Sequence, residues 1–437
     1  MIGEIKLLFA SISKIFYFLH LISKIFSFSA WRASKHLRFL ILTNPDVVFV
    51  ASTADFQRDY YDNYVPDKLE LWRQKVAALK INSMLVLMPF SKTSGKVIPK
   101  DALFIERLII KPLSDKNKSF GLLSVVKEWR FNASAKRLPL SSYIHSQVWY
   151  NFLNGVKPKV LIGIGLTDVI LKICGELGIK TIEVQHGIFS EGDPAKWWEY
   201  SNRGGRYGPD LFFTWDDHYS NIAATLRINS HTIGYPFEFQ HLHLTRPTLQ
   251  NVGSDYRPVV VVTLSCRLPQ GIDPWGMIDK NMDISILKLL NHGILVRLRL
   301  HPALRDGVIR RARISNWLTK RYQNSEIIFP KDESILRSLY SGDVHLTVAS
   351  STVLEASYLG VPTLILQAAY LAPPAMYFSL ESHEPLPHDL LSLGIIKTTN
   401  FESILQDVDN FLELPRKPFT NPLNISEFLM QITKWTS

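Results

Sequence analysis

Cysteine is nearly absent: the 437 residues hold two, Cys174 and Cys266, far apart and matching no metal-ligand spacing. That excludes a disulfide framework and a cysteine-based zinc site, and it fits a reducing compartment in which both are small buried residues. An EF-hand loop is missing too. So is a full dinucleotide fingerprint, because Gly163 and Gly165 have no third glycine at the required offset. The adjacent Asp216 and Asp217 lack the Asp-x-Asp spacing of a cation-binding pair. In residues 1–45 the longest run free of Lys and Arg is nine, 15–23, against the roughly 20 apolar residues that a spanning helix needs. Lys14 and Lys24 also interrupt the apolar centre of any secretory signal.

What residues 1–45 do contain is positive charge set among aromatic and aliphatic side chains. Lys6, Lys14, Lys24, Arg32, Lys35 and Arg38 stand against Glu4 alone, so +5 of the net +10 lies in this short arm. At about 100° per residue, Lys6, Lys24 and Lys35 share one narrow stripe of an otherwise apolar helix. This is the pattern of an amphipathic arm lying on an anionic membrane surface. The other reading docks its apolar face on the protein's own core. Nucleic acid is not an expected partner, since no RNA-recognition, KH or helix-turn-helix signature is present.

After Pro45 short apolar runs alternate with stretches long enough for helices. VVFVA at 47–51, MLVLM at 84–88, VLIGIG at 160–165, TIEVQ at 181–185, LFFTW at 211–215 and HTIG at 231–234 read as buried strands. A second series follows: VVVVTL at 259–264, ILVRLRLH at 294–301, IIF at 327–329, HLTV at 345–348 and TLILQ at 363–367. Helical patterns lie at 168–177, 284–290, 353–359 and 401–412. Such alternation predicts mostly parallel sheets covered on both faces. The fold class is therefore α/β, two tandem Rossmann-like doubly wound domains preceded by the arm. The expected division is an arm over 1–45, a first domain over 46–236, a linker over 237–257, a second domain over 258–415 and a tail over 416–437. Ligands of such sheets meet the carboxyl ends of the strands.

Two stretches carry the chemistry. In ILVRLRLHPA, 294–303, Val296, Leu298 and Leu300 point one way and Arg297, Arg299 and His301 the other, until Pro302 ends the ladder. His301 thus comes last on its strand, at the ligand edge. Arg299 supports it or pairs with a carboxylate under a helix, and Arg297 is structural. SGDVHLTVASSTVLEASYLGVPTLILQ, 341–367, reads strand, hydroxyl-rich turn, helix, Gly-Val-Pro, strand. Ser350, Ser351 and Thr352 would stand at a strand's carboxyl end and a helix's amino end, where free N–H groups and the helix dipole favour an anion. Thr352 and Glu355 also have the spacing of a capping box.

The run ASSTVLEASYLGVPTL resembles the donor-site segment of GT-B glycosyltransferases, and RLHP upstream resembles the His-Pro motif of bacterial sialyl- and Kdo-type transferases, which use CMP-sugars. The likeness covers 258–366 well and 160–236 loosely, and it leaves out the first 45 residues. It implies that His301 contacts the nucleotide phosphate, that Ser350, Ser351 and Thr352 form its cradle, and that Glu355 binds the ribose unless it caps the helix. Ser265 and Arg267, in the loop after 259–264, and Arg299 would complete the donor site. The implied reaction moves a sugar from a nucleotide-sugar donor, CMP-Kdo or CMP-sialic acid favoured, to a surface polysaccharide or lipid-linked glycan acceptor. Neither metal nor cofactor is expected, and the implied place is the cytoplasmic face of the membrane, with the protein peripheral to it.

An acceptor hydroxyl needs a general base. His186, Glu191 and Asp193, after TIEVQ, and Asp168, after VLIGIG, are the candidates, Asp168 being also placed to cap a helix. The acidic-Asp-Gly motif that carries the base in the sialyltransferase families does not occur, and Glu191-Gly192-Asp193 only partly replaces it. Rival readings on the same architecture are a CDP-glycerol-type polymer transferase and a UDP-sugar 2-epimerase. From another class, a basic nucleic-acid-binding protein or a non-catalytic scaffold that keeps the fold is a third.

Overall fold

The computed structural model describes residues 44–51, 56–58, 64–87, 102–104, 140–185, 208–225, 227–236, 256–265, 271–301, 308–330, 332–348, 350, 352–366, 393–414 and 424–436. The basic arm and nearly all of the linker lie outside them.

The first domain is built on β1 (Val47–Ala51), β4 (Ser83–Leu87), β5 (Ala102–Phe104), β6 (Val160–Gly163), β7 (Lys180–Val184), β8 (Leu211–Thr214) and β9 (Ser230–Thr232). These pair in the order β5-β4-β1-β6-β7-β8-β9, every pair parallel. A small antiparallel hairpin, β2 (Phe56–Arg58) and β3 (Tyr64–Pro66), follows β1. The helices are α1 (Asp67–Ala78), α2 (Leu140–Val156), α3 (Asp168–Leu177) and α4 (Asp217–Thr225). β1 is an unbroken apolar run because it is covered on both faces, and all five of its residues are buried. Cys174, on α3, is fully buried, and burial pushes its thiol up to about 12, which leaves it inert.

The second domain holds β10 (Val259–Thr263), β11 (Leu295–Arg299), β12 (Glu326–Ile328), β13 (Val344–Thr347), β14 (Thr363–Leu366) and β15 (Ile396–Thr399). Their order is β12-β11-β10-β13-β14-β15, again all parallel. Its helices are α5 (Lys280–Asn291), α6 (Val308–Arg321), α7 (Ile335–Ser341), α8 (Thr352–Tyr358) and α9 (Ile404–Leu412). One face of this sheet is apolar: Val260, Val262, Val296, Leu298, Leu346 and Leu364 pack with Ile286, Leu318 and Val408 from α5, α6 and α9. The opposite face meets α7 and α8 through Val261, Leu339 and Ala356.

Each sheet starts in the middle, builds to one edge, then returns and builds to the other. The reversal creates a crevice at the carboxyl ends of β1 and β6 in one sheet and of β10 and β13 in the other, the place where doubly wound sheets take ligands.

The C-terminal segment corrects the sequence expectation of a tail over 416–437. Its last part is a helix, α10 (Ile425–Thr436), that belongs to the first domain's core. The Asn424 side chain accepts the Glu427 N–H at 3.1 Å and caps it. Phe428 and Ile432, one helical turn apart, are fully buried; the Phe428 ring lies 4.5 Å from Trp72 and 5.4 Å from Phe213. The Asn424 N–H also donates to Ile233 O at 2.9 Å, and His231 meets Glu427 at 3.0 Å. The chain therefore crosses back after the second domain is complete.

Candidate functional site

Register decides which residues meet. Thr263 is level with Arg299 on one side and with Thr347 on the other. The chain segments that leave β10, β11 and β13 consequently emerge together, and they carry Ser265, His301 and Ser350. Leu264 N–H still donates to Arg299 O at 2.9 Å, and Leu300 N–H to Ile328 O at 3.0 Å, so the ladder holds up to the residue before each loop. All three side chains are half-buried. Burial holds the His301 imidazole below its ordinary value of 6.5, so at neutral pH it offers one N–H donor rather than a charge.

Around the turn after β13 the hydroxyls are shared differently from a capping box. Thr352 N–H donates to Ser350 Oγ at 3.2 Å, and Val353 N–H to Ser350 O at 3.3 Å. The Thr352 hydroxyl faces the sheet, 3.1 Å from Thr263 Oγ1 and 3.3 Å from His345 Nε2. The Thr352–Glu355 capping box expected from the spacing is not formed. Glu355 lies inside α8 at 3% exposure, close enough to Tyr219 of the first domain to raise its phenol.

The arginines of β11 are engaged by neighbouring protein groups. Arg297 is paired with Glu326 at 2.7 Å and Glu333 at 3.1 Å, and it also donates to Ser341 Oγ. Arg299, expected at the donor, is 2% exposed and donates through Nη1 to Glu333 O, Ser334 O and Ser338 Oγ at 3.0, 3.2 and 2.6 Å. Its partners are the backbone and a hydroxyl at the start of α7, which makes it a clamp between β11 and that helix. Arg297 has the structural role read from the sequence.

From the first domain, Asp168 is the first residue of α3, with Thr167 in the cap position before it, at the carboxyl edge beside β6. Gln185, just past β7, is fully buried and accepts the Trp215 N–H at 2.8 Å, tying the ends of β7 and β8. Asp216 follows, and burial pushes its carboxyl up to about 6 although the Tyr219 N–H bonded to it acts the other way. The rings of Trp215 and Tyr235 lie 4.7 Å apart, and Tyr235 meets Tyr358 of α8 at 4.5 Å. This aromatic seam joins the two domains, with Tyr358 at the end of α8 opposite Thr352. Buried Tyr219 feels it from both sides: desolvation, then Asp216, Tyr358 and Glu355, raise its phenol well above 10.

His186, Glu191, Asp193, Arg267 and Ser351 lie outside the described residues. The structure thus brings Ser265, His301, Ser350 and Thr352 to one edge and turns Arg299 away. It adds His345 and the Trp215–Tyr235–Tyr358 seam, and it places Asp216, weighed from the sequence only as half of a cation pair, at the end of β8. Strict alternation in VHLTV, with His345 and Thr347 opposite three aliphatics, was the signal available for the first. Among the described residues no group of three or more His, Cys, Asp or Glu is arranged to hold a metal, and no helix is long and apolar enough to cross a membrane.

No protein-family profile and no curated protein matches the chain. Solved structures do. UDP-GlcNAc 2-epimerase from Neisseria meningitidis bound to UDP-GlcNAc superposes with a TM-score of 0.53 at 13% identity, over 89% of this chain and 98% of that one. The S. aureus MnaA–UDP structure gives 0.52 at 12% identity, over 89% and 96%. The UDP-GlcNAc 2-epimerase of Methanocaldococcus jannaschii with UDP-GlcNAc and UDP gives 0.52 at 14%, over 89% and 99%. The chain has the two-domain GT-B fold. That agrees with two parallel sheets of the same winding, joined by an aromatic seam and by a helix that returns to the first domain.

Proposed function

We propose that this chain is a metal-independent glycosyltransferase that takes a sugar from a nucleotide-activated donor held at the carboxyl edge of the second sheet. The observation that carries the reading is the convergence of Ser265, His301 and Ser350 at the crevice between β10 and β13. When the sugar leaves, negative charge grows on the nucleotide phosphate. A neutral histidine N–H and hydroxyls fixed nearby stabilise that charge without reorganising. Asp168, with His186, Glu191 and Asp193, supplies the candidate bases for the acceptor hydroxyl. The acceptor is a surface polysaccharide or lipid-linked glycan, and the basic arm over 1–45 brings the protein to anionic lipid, peripheral to the inner face of the membrane. The His-Pro and Ser-Ser pattern favours a CMP-sugar.

A second reading, a UDP-sugar 2-epimerase, is favoured by the similar solved structures, which carry UDP or UDP-GlcNAc. It needs no acceptor. Thermal shift in EDTA with CMP, CDP, UDP and GDP separates the nucleotides, and incubation of the matching nucleotide-sugar without acceptor separates the reactions. A CMP-selective shift and a donor sugar left unchanged without acceptor support the transferase. A UDP-selective shift with acceptor-free inversion at one sugar carbon overturns it in favour of the epimerase.

A further inference from the structure

A line of four side chains runs across the β10–β13 crevice on the α8 face of the sheet. His345 and Thr363 are direct register partners on β13 and β14, with Nδ1 3.1 Å from Thr363 Oγ1. His345 Nε2 lies 2.8 Å from Thr263 Oγ1, and Thr263 Oγ1 lies 3.1 Å from Thr352 Oγ1. The Thr352 hydroxyl also has a longer contact of 3.3 Å with Nε2. His345 and Thr363 are fully buried and Thr263 is 5% exposed, whereas Thr352 is half-buried, so the line opens only at Thr352. Burial pushes the imidazole down to about 3, and a ring that stays neutral has one N–H and one bare nitrogen.

Each hydroxyl has one proton to give, so the line fills in two orders. In the first, Nδ1–H donates to Thr363, whose O–H donates to Val361 O at 3.5 Å. The bare Nε2 then accepts the Thr263 O–H, Thr263 accepts the Thr352 O–H, and Thr352 has only lone pairs to offer outward. In the second, Thr363 O–H donates to bare Nδ1, Nε2–H donates to Thr263, and Thr263 O–H donates to Thr352. The Thr352 proton is then left for a group outside the line. The two orders hold equal numbers of protons, and they interchange when the ring proton moves from Nδ1 to Nε2 and the hydroxyls of Thr263, Thr352 and Thr363 turn over, with proton exchange to solvent during transient opening of the site.

We propose that His345 is a positioning residue whose tautomer sets the polarity of the Thr352 hydroxyl, and that a phosphate oxygen of the bound nucleotide selects the Nε2–H form. The proposal rests on the reading above that the nucleotide phosphate sits at this edge. An anion accepts and cannot donate, so it pairs only with the second order. The effect is a preset donor at the phosphate with no charge buried beneath it, since a protonated His345 would have no acceptor for one of its two N–H groups without turning a threonine around.

The test is 15N NMR of the full chain labelled at histidine, with the His345 signals assigned by comparison with His345→Gln. Spectra are taken alone and with saturating UDP, CMP or inorganic pyrophosphate. The expected result is a bound form with its proton on Nε2. Thr263→Val keeps the shape and cuts the line, and it is expected to weaken nucleotide binding about tenfold, whereas Thr263→Ser, which keeps the hydroxyl, is expected to restore most of that loss. Binding with the proton on Nδ1, or a Thr263→Val protein that folds and binds as wild type, overturns the relay and leaves the nucleotide site standing. If the wild type binds no nucleotide, the site reading itself fails and the relay with it.

Discussion

The two sheets share a winding and differ in what they bury. At the centre of the first, β1 presents aliphatic and aromatic side chains to both sides. The second keeps one apolar face, and on the other it buries Thr263, Arg297, Arg299, His345, Thr347 and Thr363. Both solutions satisfy a covered parallel sheet, but a buried polar face is costly unless each group finds a partner. Here Arg297 is held by Glu326, Glu333 and Ser341, and Arg299 by α7 through Nη1, while the threonines and histidine form a line that ends at the crevice. The first sheet also buries polar groups, among them Thr181, Glu183 and Thr214, but Thr181 bonds to Asp210 and Thr214 to the His231 carbonyl rather than to one another. Among the described residues this histidine–threonine line lies at the edge of the second sheet, beside Ser265, His301 and Ser350.

The largest test of this contrast is apolar. Phe428→Ala should cost about 3–5 kcal/mol, read as a lower urea midpoint, because α10 completes the first domain's core. A loss below about 1 kcal/mol would mean that the returning helix does not hold that core.

The next test is the buried histidine. His345 has an ordinary value of 6.5 and a folded value of about 3. A lowered value means that the unfolded chain binds the proton first, so its stabilisation is complete above pH 6.5 and is lost as pH falls toward 3. Between pH 7 and pH 5 the loss is about 2 kcal/mol. Asp216, raised from 3.8 to about 6, acts in the opposite sense over the same window, so the comparison must be with His345→Gln. That variant should lose about 2 kcal/mol less than wild type between the two pH values in denaturant melts. Equal slopes would show that the ring is not held neutral.

The smallest effect lies at the rim of the first sheet. Lys180 and Asp210 meet at 2.8 Å with side chains 51% and 34% exposed, and Lys180→Ala should change stability by less than about 1 kcal/mol, less still at high salt. A larger loss would mean that the first sheet also leans on polar pairs.

Legibility followed the range of the interactions. VVFVA and the helix at 168–177 were readable residue for residue, because apolar runs and a glycine stop are local signals: Gly178, at φ 70°, closes α3. The alternation in ILVRLRLHPA also placed His301 at its strand's end. It did not reveal that Arg299 would turn to α7, whose accepting groups lie 34 to 39 residues further on. His345 stands in the motif-bearing stretch 341–367, yet Thr263 is 82 residues away, and only the strand order brings them together. For α10 the Phe428–Ile432 spacing was visible, but an amphipathic stripe does not say which domain it will cover.

The central claim is that the nucleotide's phosphate is held by the second sheet's carboxyl edge. Amide hydrogen exchange of the full chain, with and without a saturating nucleotide, tests it most directly. The account predicts the strongest new protection in peptides spanning 264–265, 300–301 and 350–359, with little change across 47–51 and 83–87. Protection concentrated at 164–168 and 214–219, with none at His301 or the turn after β13, would contradict it.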